Sequence, residues 1–279
     1  MIELACGRFR LGLSRPLIMG IVNVTPDSFS DGGRFLAPDA ALRQAERLVA
    51  EGAAILDIGG ESTRPNAPSV SVQEEMDRVL PALERIGELG VPLSLDTRRT
   101  AVMREGLRVG VDLINDVAGL EDDGATDAVA PYPVAICLMH KQGNPDSMQA
   151  SPHYTDVVAE VGDYLERRVS ACLNAGIARE RLLIDPGFGF GKTLEHNLAL
   201  LRALPALSRR AGVPVLAGLS RKSMLGQITG EPVPDERLGA SVAAAMEAAR
   251  RGAAIIRVHD VKASRQAMQV LAAVDYPEF

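Results

Sequence analysis

The stretch Leu182-Leu183-Ile184-Asp185-Pro186-Gly187-Phe188-Gly189-Phe190-Gly191-Lys192 sets the frame for the whole chain. An apolar run short enough for one buried strand ends on a carboxylate, and a proline followed by three alternating glycines bends the backbone away. Asp185 is therefore expected on a rigid element beside a loop whose glycines let the backbone approach a ligand closely. Phe188 and Phe190 offer flat apolar faces to a planar ring. A planar heterocycle with donors along its edge suits such a site. Two nucleotide readings each fail on one residue: a phosphate-cradling P-loop needs glycine where Pro186 stands, and a dinucleotide loop needs glycine where Lys192 stands. Taken alone, the stretch also fits a plain turn leading to a helix that starts near Thr193.

Outward from this stretch, one pattern recurs. A short apolar run is followed by a Gly/Pro/Ser/Asp cluster and then by an Ala-, Leu-, Glu- and Arg-rich stretch with helical spacing. The runs at 17–22, 54–58, 93–95, 113–114, 134–138, 182–184, 215–217 and 255–258 predict about eight strands. Helical spacing is clearest over 39–51, 72–88, 100–109, 155–175, 235–251 and 261–273, and Ser71 with Glu74 forms a capping-box signature. Strands apolar throughout are buried on both faces, so the expected fold is an α/β (β/α)8 TIM barrel, with an open doubly wound sheet as the alternative. Residues 2–13 read as a short N-terminal β-hairpin covering one end. The chain reads as a single domain, 1–279, because no shift in composition marks a boundary.

Bulk properties narrow the function. A formal charge of -6 and the absence of Trp argue against nucleic acid as a partner. Cys6, Cys137 and Cys172 lack metal-type spacing and give no disulfide framework, which fits a reducing compartment. No signal peptide or membrane-spanning run is legible, so a soluble cytoplasmic protein is expected. The histidines His140, His153, His196 and His259 are too dispersed for a zinc site.

In a barrel of this kind reactive groups gather at the C-terminal ends of the strands. Those ends carry Asn23, Glu61-Ser62-Thr63-Arg64, Asp96, Asn115-Asp116, Met139-His140, Asp185, Ser220-Arg221-Lys222 and the run from Arg257 to His259. Buried charges are costly unless paired, so their regular placement here points to a functional mouth. The competing readings are helix N-caps for Asp96, Asn115 and Asp185 and a structural salt bridge for Arg257.

Taken in order, Ile21-Val22-Asn23-Val24-Thr25-Pro26-Asp27-Ser28-Phe29-Ser30-Asp31-Gly32-Gly33, Gly59-Gly60-Glu61-Ser62-Thr63-Arg64-Pro65, Ser94-Leu95-Asp96-Thr97, Ile114-Asn115-Asp116-Val117, Leu138-Met139-His140, the Asp185 to Lys192 stretch, Gly218-Leu219-Ser220-Arg221-Lys222-Ser223 and Arg257-Val258-His259-Asp260 resemble the dihydropteroate synthase family over nearly the whole chain. The resemblance implies a (β/α)8 barrel enzyme of folate biosynthesis, usually a homodimer. Its members condense 4-aminobenzoate with a dihydropterin methyl diphosphate and release diphosphate.

For a pterin, an ionised Asp185 can accept from the exocyclic amine and the adjacent ring N–H together, and Asn115 offers both donor and acceptor. Lys222 can donate to the ring oxygen and a ring nitrogen, and Asp96 can accept from the remaining N–H close to the reacting carbon. Arg257 and His259, with Arg64, supply donors to the diphosphate, and the resemblance adds Thr63 to the pterin diphosphate site. It also implies that Asn23 contacts Mg2+, and that Thr63, Arg64, Pro65, Phe190, Ser220 and Lys222 enclose 4-aminobenzoate. Asp96, Lys222, Arg257 and His259 are the expected catalytic groups. The loops 23–36 and 61–71 are rich in Gly, Pro, Ser and Asn, as expected of segments that ligand orders. Two other activities fit the same motifs: a pterin-dependent methyltransferase barrel acting on methyltetrahydrofolate, and a pterin-binding protein without catalysis.

Overall fold

Alternation along each strand explains the architecture of the computed structural model, which describes residues 3–25, 37–61, 70–143, 148 and 152–275. After a hairpin of β1 (Glu3–Cys6) and β2 (Phe9–Gly12) come the barrel strands β3 (Leu17–Asn23), β4 (Ile55–Gly59), β5 (Leu93–Asp96), β6 (Leu113–Asp116), β7 (Ala135–Met139), β8 (Leu182–Asp185), β9 (Val215–Ala217) and β10 (Ala253–Val258). Each runs parallel to its neighbours, and β10 pairs with β3 in the register Ile255 to Leu17 through Val258 to Gly20, which closes the ring. That pairing rules out the open sheet.

Successive side chains on a strand point to opposite faces. Ile18, Leu56, Ile58, Leu95, Ile114, Ile136, Leu182, Ile184 and Ile256 join the large apolar core between sheet and helices. The alternate residues Met19, Ile55, Leu113, Cys137, Leu183 and Ile255 form a second apolar cluster inside the barrel. Two positions further along the same inward faces stand Asp57, Asn115, Asp185 and Arg257. The lumen is therefore greasy at its base and polar near the strand ends.

The outer layer comprises α1 (Ala37–Glu51), α2 (Val72–Ile86), α3 (Thr100–Val109), α4 (Ala125–Val129), α5 (Val157–Asn174), α6 (Leu194–Ala211), α7 (Ser223–Thr229), α8 (Leu238–Arg250) and α9 (Val261–Asp275). The expected capping box at Ser71 is present: its hydroxyl accepts from the Glu74 N–H, and the Glu74 carboxylate accepts from the Ser71 N–H. Thr193 and His196 form a second one and start α6, as the loop reading of that stretch suggested. Residue 235 falls in a 3-10 turn, so α8 begins later than helical spacing implied.

The hairpin sits across the base of the barrel. Leu4 and Cys6 pack into the inner apolar cluster. Asp112, almost fully buried, accepts from the Arg8 N–H at 3.2 Å, the Arg8 guanidinium at 3.1 Å and the Leu93 N–H at 3.1 Å. This carboxylate fastens the hairpin to the sheet. Among the described residues no helix is long and apolar enough to cross a membrane, and all three cysteines are free and buried.

Candidate active site

The sequence reading put the polar groups just beyond the strands, but the strands run further. Asn23, Asp96, Asp116 and Asp185 are the last residues of β3, β5, β6 and β8, while Asn115 and Arg257 lie one position inside β6 and β10. Ladder hydrogen bonds thus fix their backbones, and the side chains converge without reliance on loops, except that of Asp116, which alternates outward from Asn115 and accepts from the Ala118 and Leu120 N–H groups at 2.7 and 2.6 Å.

The centre of the site is a carboxylate that strand-end inspection missed. Asp57, in the middle of β4, has no exposed surface. Its Oδ1 accepts from Ser94 Oγ at 2.5 Å, and its Oδ2 accepts from Arg257 Nε at 2.5 Å and from Asn115 Nδ2 at 3.2 Å. Arg257 Nη2 donates to Asp96 Oδ2 at 2.8 Å. A charged residue inside an otherwise apolar five-residue strand, Ile55-Leu56-Asp57-Ile58-Gly59, was the signal that could have identified it.

Asp185 and Lys222 both adjoin the glycine-rich loop. Asp185 Oδ1 accepts from the Gly187 N–H at 2.7 Å. A methyl group on Gly218 would lie 3.9 Å from Arg257 and 4.0 Å from Asp185 Oδ2, so both side chains flank that glycine. Lys222 Nζ lies 4.2 Å from the Phe190 ring centroid and its stem lies along Gly189. Phe190 is thus at the site, but Phe188 is not: it is 1% exposed and packs in the outer core, because alternate residues of this loop face opposite ways. Ser220 Oγ and His259 Nδ1 are 3.0 Å apart at the neighbouring strand ends.

Lys192, quoted in the motif but given no role, is 3% exposed. Its ammonium group reaches His140 Nδ1 at 3.0 Å and donates to the carbonyls of His140 at 3.3 Å and Phe190 at 3.0 Å. It ties the glycine-rich loop to the end of β7. Glu61 and the carbonyl of Val70, on either side of 62–69, both bond to Arg99 Nη2, at 3.0 and 2.5 Å. Thr63, Arg64 and Pro65 themselves, and most of the loops 23–36 and 61–71, lie outside the described residues.

Burial dominates the electrostatics. It pushes Asp185 up against the opposing pull of the Gly187 N–H and of Lys222, Lys192 and Arg257. Lys222 is brought down to about 8 and Lys192 to about 7, in each case chiefly by desolvation that Asp185 only partly offsets. Asp96 is raised to about 7, because desolvation and the nearby carboxylates outweigh Arg257. Arg257 moves further up, since Asp57 and Asp96 more than compensate for its own burial. The two shifts describe one attraction, which suffices to hold the cation but not to overcome desolvation of this carboxylate. Loss of solvent, reinforced by Lys192, brings His140 down to about 3, so that it is a neutral acceptor. Neither Asp96 nor Asp185 caps a helix: the N-cap of α3 is Arg99 and that of α6 is Thr193. The Arg257 salt bridge, by contrast, is real and double.

No group of three or more His, Cys, Asp or Glu among the described residues could cage a metal ion. Asn23, half-buried at the end of β3 beside Gly59, presents a single amide. One hard oxygen donor fits a cation that keeps its water and takes further ligands from phosphate, as magnesium does, and does not fit a structural metal.

An eight-stranded barrel whose lumen turns polar at one end is the setting of a small-molecule site, and residues 19–259 match the model of the pterin-binding enzyme family. Over 269 residues the chain is 55% identical to dihydropteroate synthase from Neisseria meningitidis serogroup B, covering 95% of this chain and 94% of that one. Among solved structures, Xanthomonas albilineans dihydropteroate synthase with 4-aminobenzoic acid superposes with a TM-score of 0.93 at 51% identity, covering 99% of this chain and 98% of the other. Burkholderia cenocepacia dihydropteroate synthase complexed with 7,8-dihydropteroate does so with a TM-score of 0.90 at 52% identity, covering 99% and 97%. The chain belongs to the dihydropteroate synthases within the pterin-binding enzyme family.

Proposed function

We infer that this chain is a transferase that condenses (7,8-dihydropterin-6-yl)methyl diphosphate with 4-aminobenzoate, giving 7,8-dihydropteroate and diphosphate in folate biosynthesis. The observation that carries this reading is the meeting of Asp57, Asp96, Asn115, Asp185, Lys222 and Arg257 at one end of the lumen, in a chain of this family. A bicyclic ring with N–H groups and a carbonyl along its edges meets acceptors in Asp185, Asp96 and Asn115 and a donor in Lys222. Each unmatched buried group would cost about 1 to 3 kcal/mol, so look-alike rings are rejected.

Departure of diphosphate runs ahead of amine attack in this proposal. The nitrogen lone pairs of the reduced pterin spread the charge left on the methylene carbon, and Asp96 stabilises it electrostatically. Arg257 and His259 donate to the leaving diphosphate. Magnesium, when bound, neutralises charge on the diphosphate oxygens, with Asn23 as its protein ligand. Phe190, Lys222 and Ser220, together with Thr63, Arg64 and Pro65, form the aminobenzoate side. No protein nucleophile takes part: Ser220, whose hydroxyl lies 3.0 Å from His259 Nδ1, also accepts from the His259 backbone N–H at 3.3 Å, which fits a structural bond better than an activated alkoxide.

We propose further that the chain is a single domain, works as a homodimer in the cytoplasm, and binds neither nucleic acid nor membrane. The net charge of -6 supports the part of this reading that concerns nucleic acid. Diphosphate release from the two substrates, followed with and without magnesium, tests the function. Methyl transfer from methyltetrahydrofolate in place of that release would favour the methyltransferase reading, and pterin binding without either reaction would leave a binding protein.

A further inference from the structure

Asp57 is a buried charge to which the reaction assigns no task. We propose that it is a positioning residue that presents Asn115 and Arg257 to the pterin diphosphate, a role that rests on the pterin-binding reading of this site.

The carboxylate gathers three other inward-facing side chains: Ser94 Oγ at 2.5 Å, Asn115 Nδ2 at 3.2 Å and Arg257 Nε at 2.5 Å. Asp57 is fully enclosed beneath them, so it has no surface with which to touch a ligand. Its effect on one must pass through its partners. An amide can turn either its oxygen or its nitrogen to a neighbour, and a carboxylate already accepting from Arg257 and Ser94 offers only lone pairs. Asn115 must therefore spend an N–H on Asp57, which fixes Oδ1 as the acceptor left for the ligand. A ring N–H or exocyclic amine satisfies that oxygen, and a ring bearing an acceptor there does not.

The same contact orients the cation. With Nε on Asp57 and Nη2 on Asp96, the guanidinium keeps Nη1 as the nitrogen that meets no carboxylate among the described residues. A buried pair is a weak source of stability, but it holds a planar fork in one orientation. One carboxylate thus sets both the hydrogen-bond polarity of the pterin edge and the aim of the diphosphate donor.

Asp57→Asn in the full-length chain tests this, because asparagine keeps the shape but lets the Asn115 amide turn either way. The probe is 6-hydroxymethyl-7,8-dihydropterin, which lacks the diphosphate and so reports the Asn115 arm, with affinity read by calorimetry. The expected result is a dissociation constant raised about tenfold or more, while KM for 4-aminobenzoate stays within about threefold. In an Asn115→Ala background the same change is expected to add less than about threefold, since the group it acts through is gone. Pterin affinity within about twofold of the wild type, or an undiminished loss in the Asn115→Ala background, overturns the proposal. If Asp57→Asn does not fold, Ser94→Ala, which frees one carboxylate oxygen, is expected to weaken the probe about threefold, and an unchanged affinity overturns the proposal equally. Failure of the wild-type chain to bind the probe would instead refute the pterin reading itself.

Discussion

Replacing Asp96 by asparagine separates the electrostatic cost of this site from its use. The folded carboxyl titrates near 7 against an ordinary value of 3.8, because desolvation, Asp57, Glu75 and Asp116 together outweigh Arg257. A folded value above the unfolded one means that the native state binds the extra proton. Its contribution to stability is full below about 3.8 and is lost as pH rises through about 7. At about 1.4 kcal/mol per pH unit, the window between those values bounds the loss at about 4 kcal/mol. The side chain keeps 15% of its surface in water, so a loss of about 1 to 3 kcal/mol is the expectation. Asparagine cannot ionise. It leaves Arg257 with one carboxylate partner, Asp57, which adds an offset but no slope over this range. Urea denaturation of both proteins from pH 4.5 to pH 8 is the assay, a range that covers most of this window. The stability of Asp96→Asn relative to the wild type should climb by about 1 to 3 kcal/mol across it, while turnover falls by about a hundredfold or more. Parallel stability profiles would refute the assignment of the proton to Asp96, and unimpaired turnover would refute its part in the reaction.

Three further changes and one control probe the scaffold and the division of labour. In Gly187→Ala the new methyl would meet the His140 carbonyl oxygen at 1.9 Å from a backbone at φ +71°, so a loss of about 3 kcal/mol or more in denaturant melting is expected. Gly12→Ala, with nothing within 4 Å, is the control that should pass unnoticed. Asp112→Ala should cost about 2 to 4 kcal/mol, chiefly from the stranded N–H groups of Leu93 and Arg8, since the Arg8 side chain is 60% exposed and its ion pair is weak; a change below about 0.5 kcal/mol would remove Asp112 as the hairpin anchor. Arg64→Ala is expected to raise KM for 4-aminobenzoate far more than it weakens pterin binding, and equal losses in calorimetry would count against separate subsites.

The α/β class was legible in the sequence because its strands are apolar on both faces, which a parallel sheet covered by helices explains, and about eight strands pointed to a barrel that the β10–β3 pairing closes. Strand ends were misjudged by a residue or two, since Asp96, Asp116 and Asp185 look like loop residues yet complete ladder pairs with Asn115, Leu138 and Met139. Asp57 escaped for the opposite reason: it was counted within an apolar strand, and its partners lie 37, 58 and 200 positions away along the chain. The burial of Lys192 depends on His140, 52 positions away, and no local pattern announces that contact. The short helix α7 carries Gly226 near its middle and too few turns to show a period. Phe188 and Phe190 differ only in which side of a glycine turn they fall on, something composition does not encode.

The hairpin seated against Met19, Ile55 and Leu183 also governs traffic. With the base stoppered by Leu4 and Cys6, the described residues leave the strand tips as the approach to the polar end of the lumen. In the proposed reaction such a cul-de-sac implies a queue: the ligand assigned to Asp185 would go in first, its co-reactant would close in behind it, and the joined product would back out along the path by which its halves arrived.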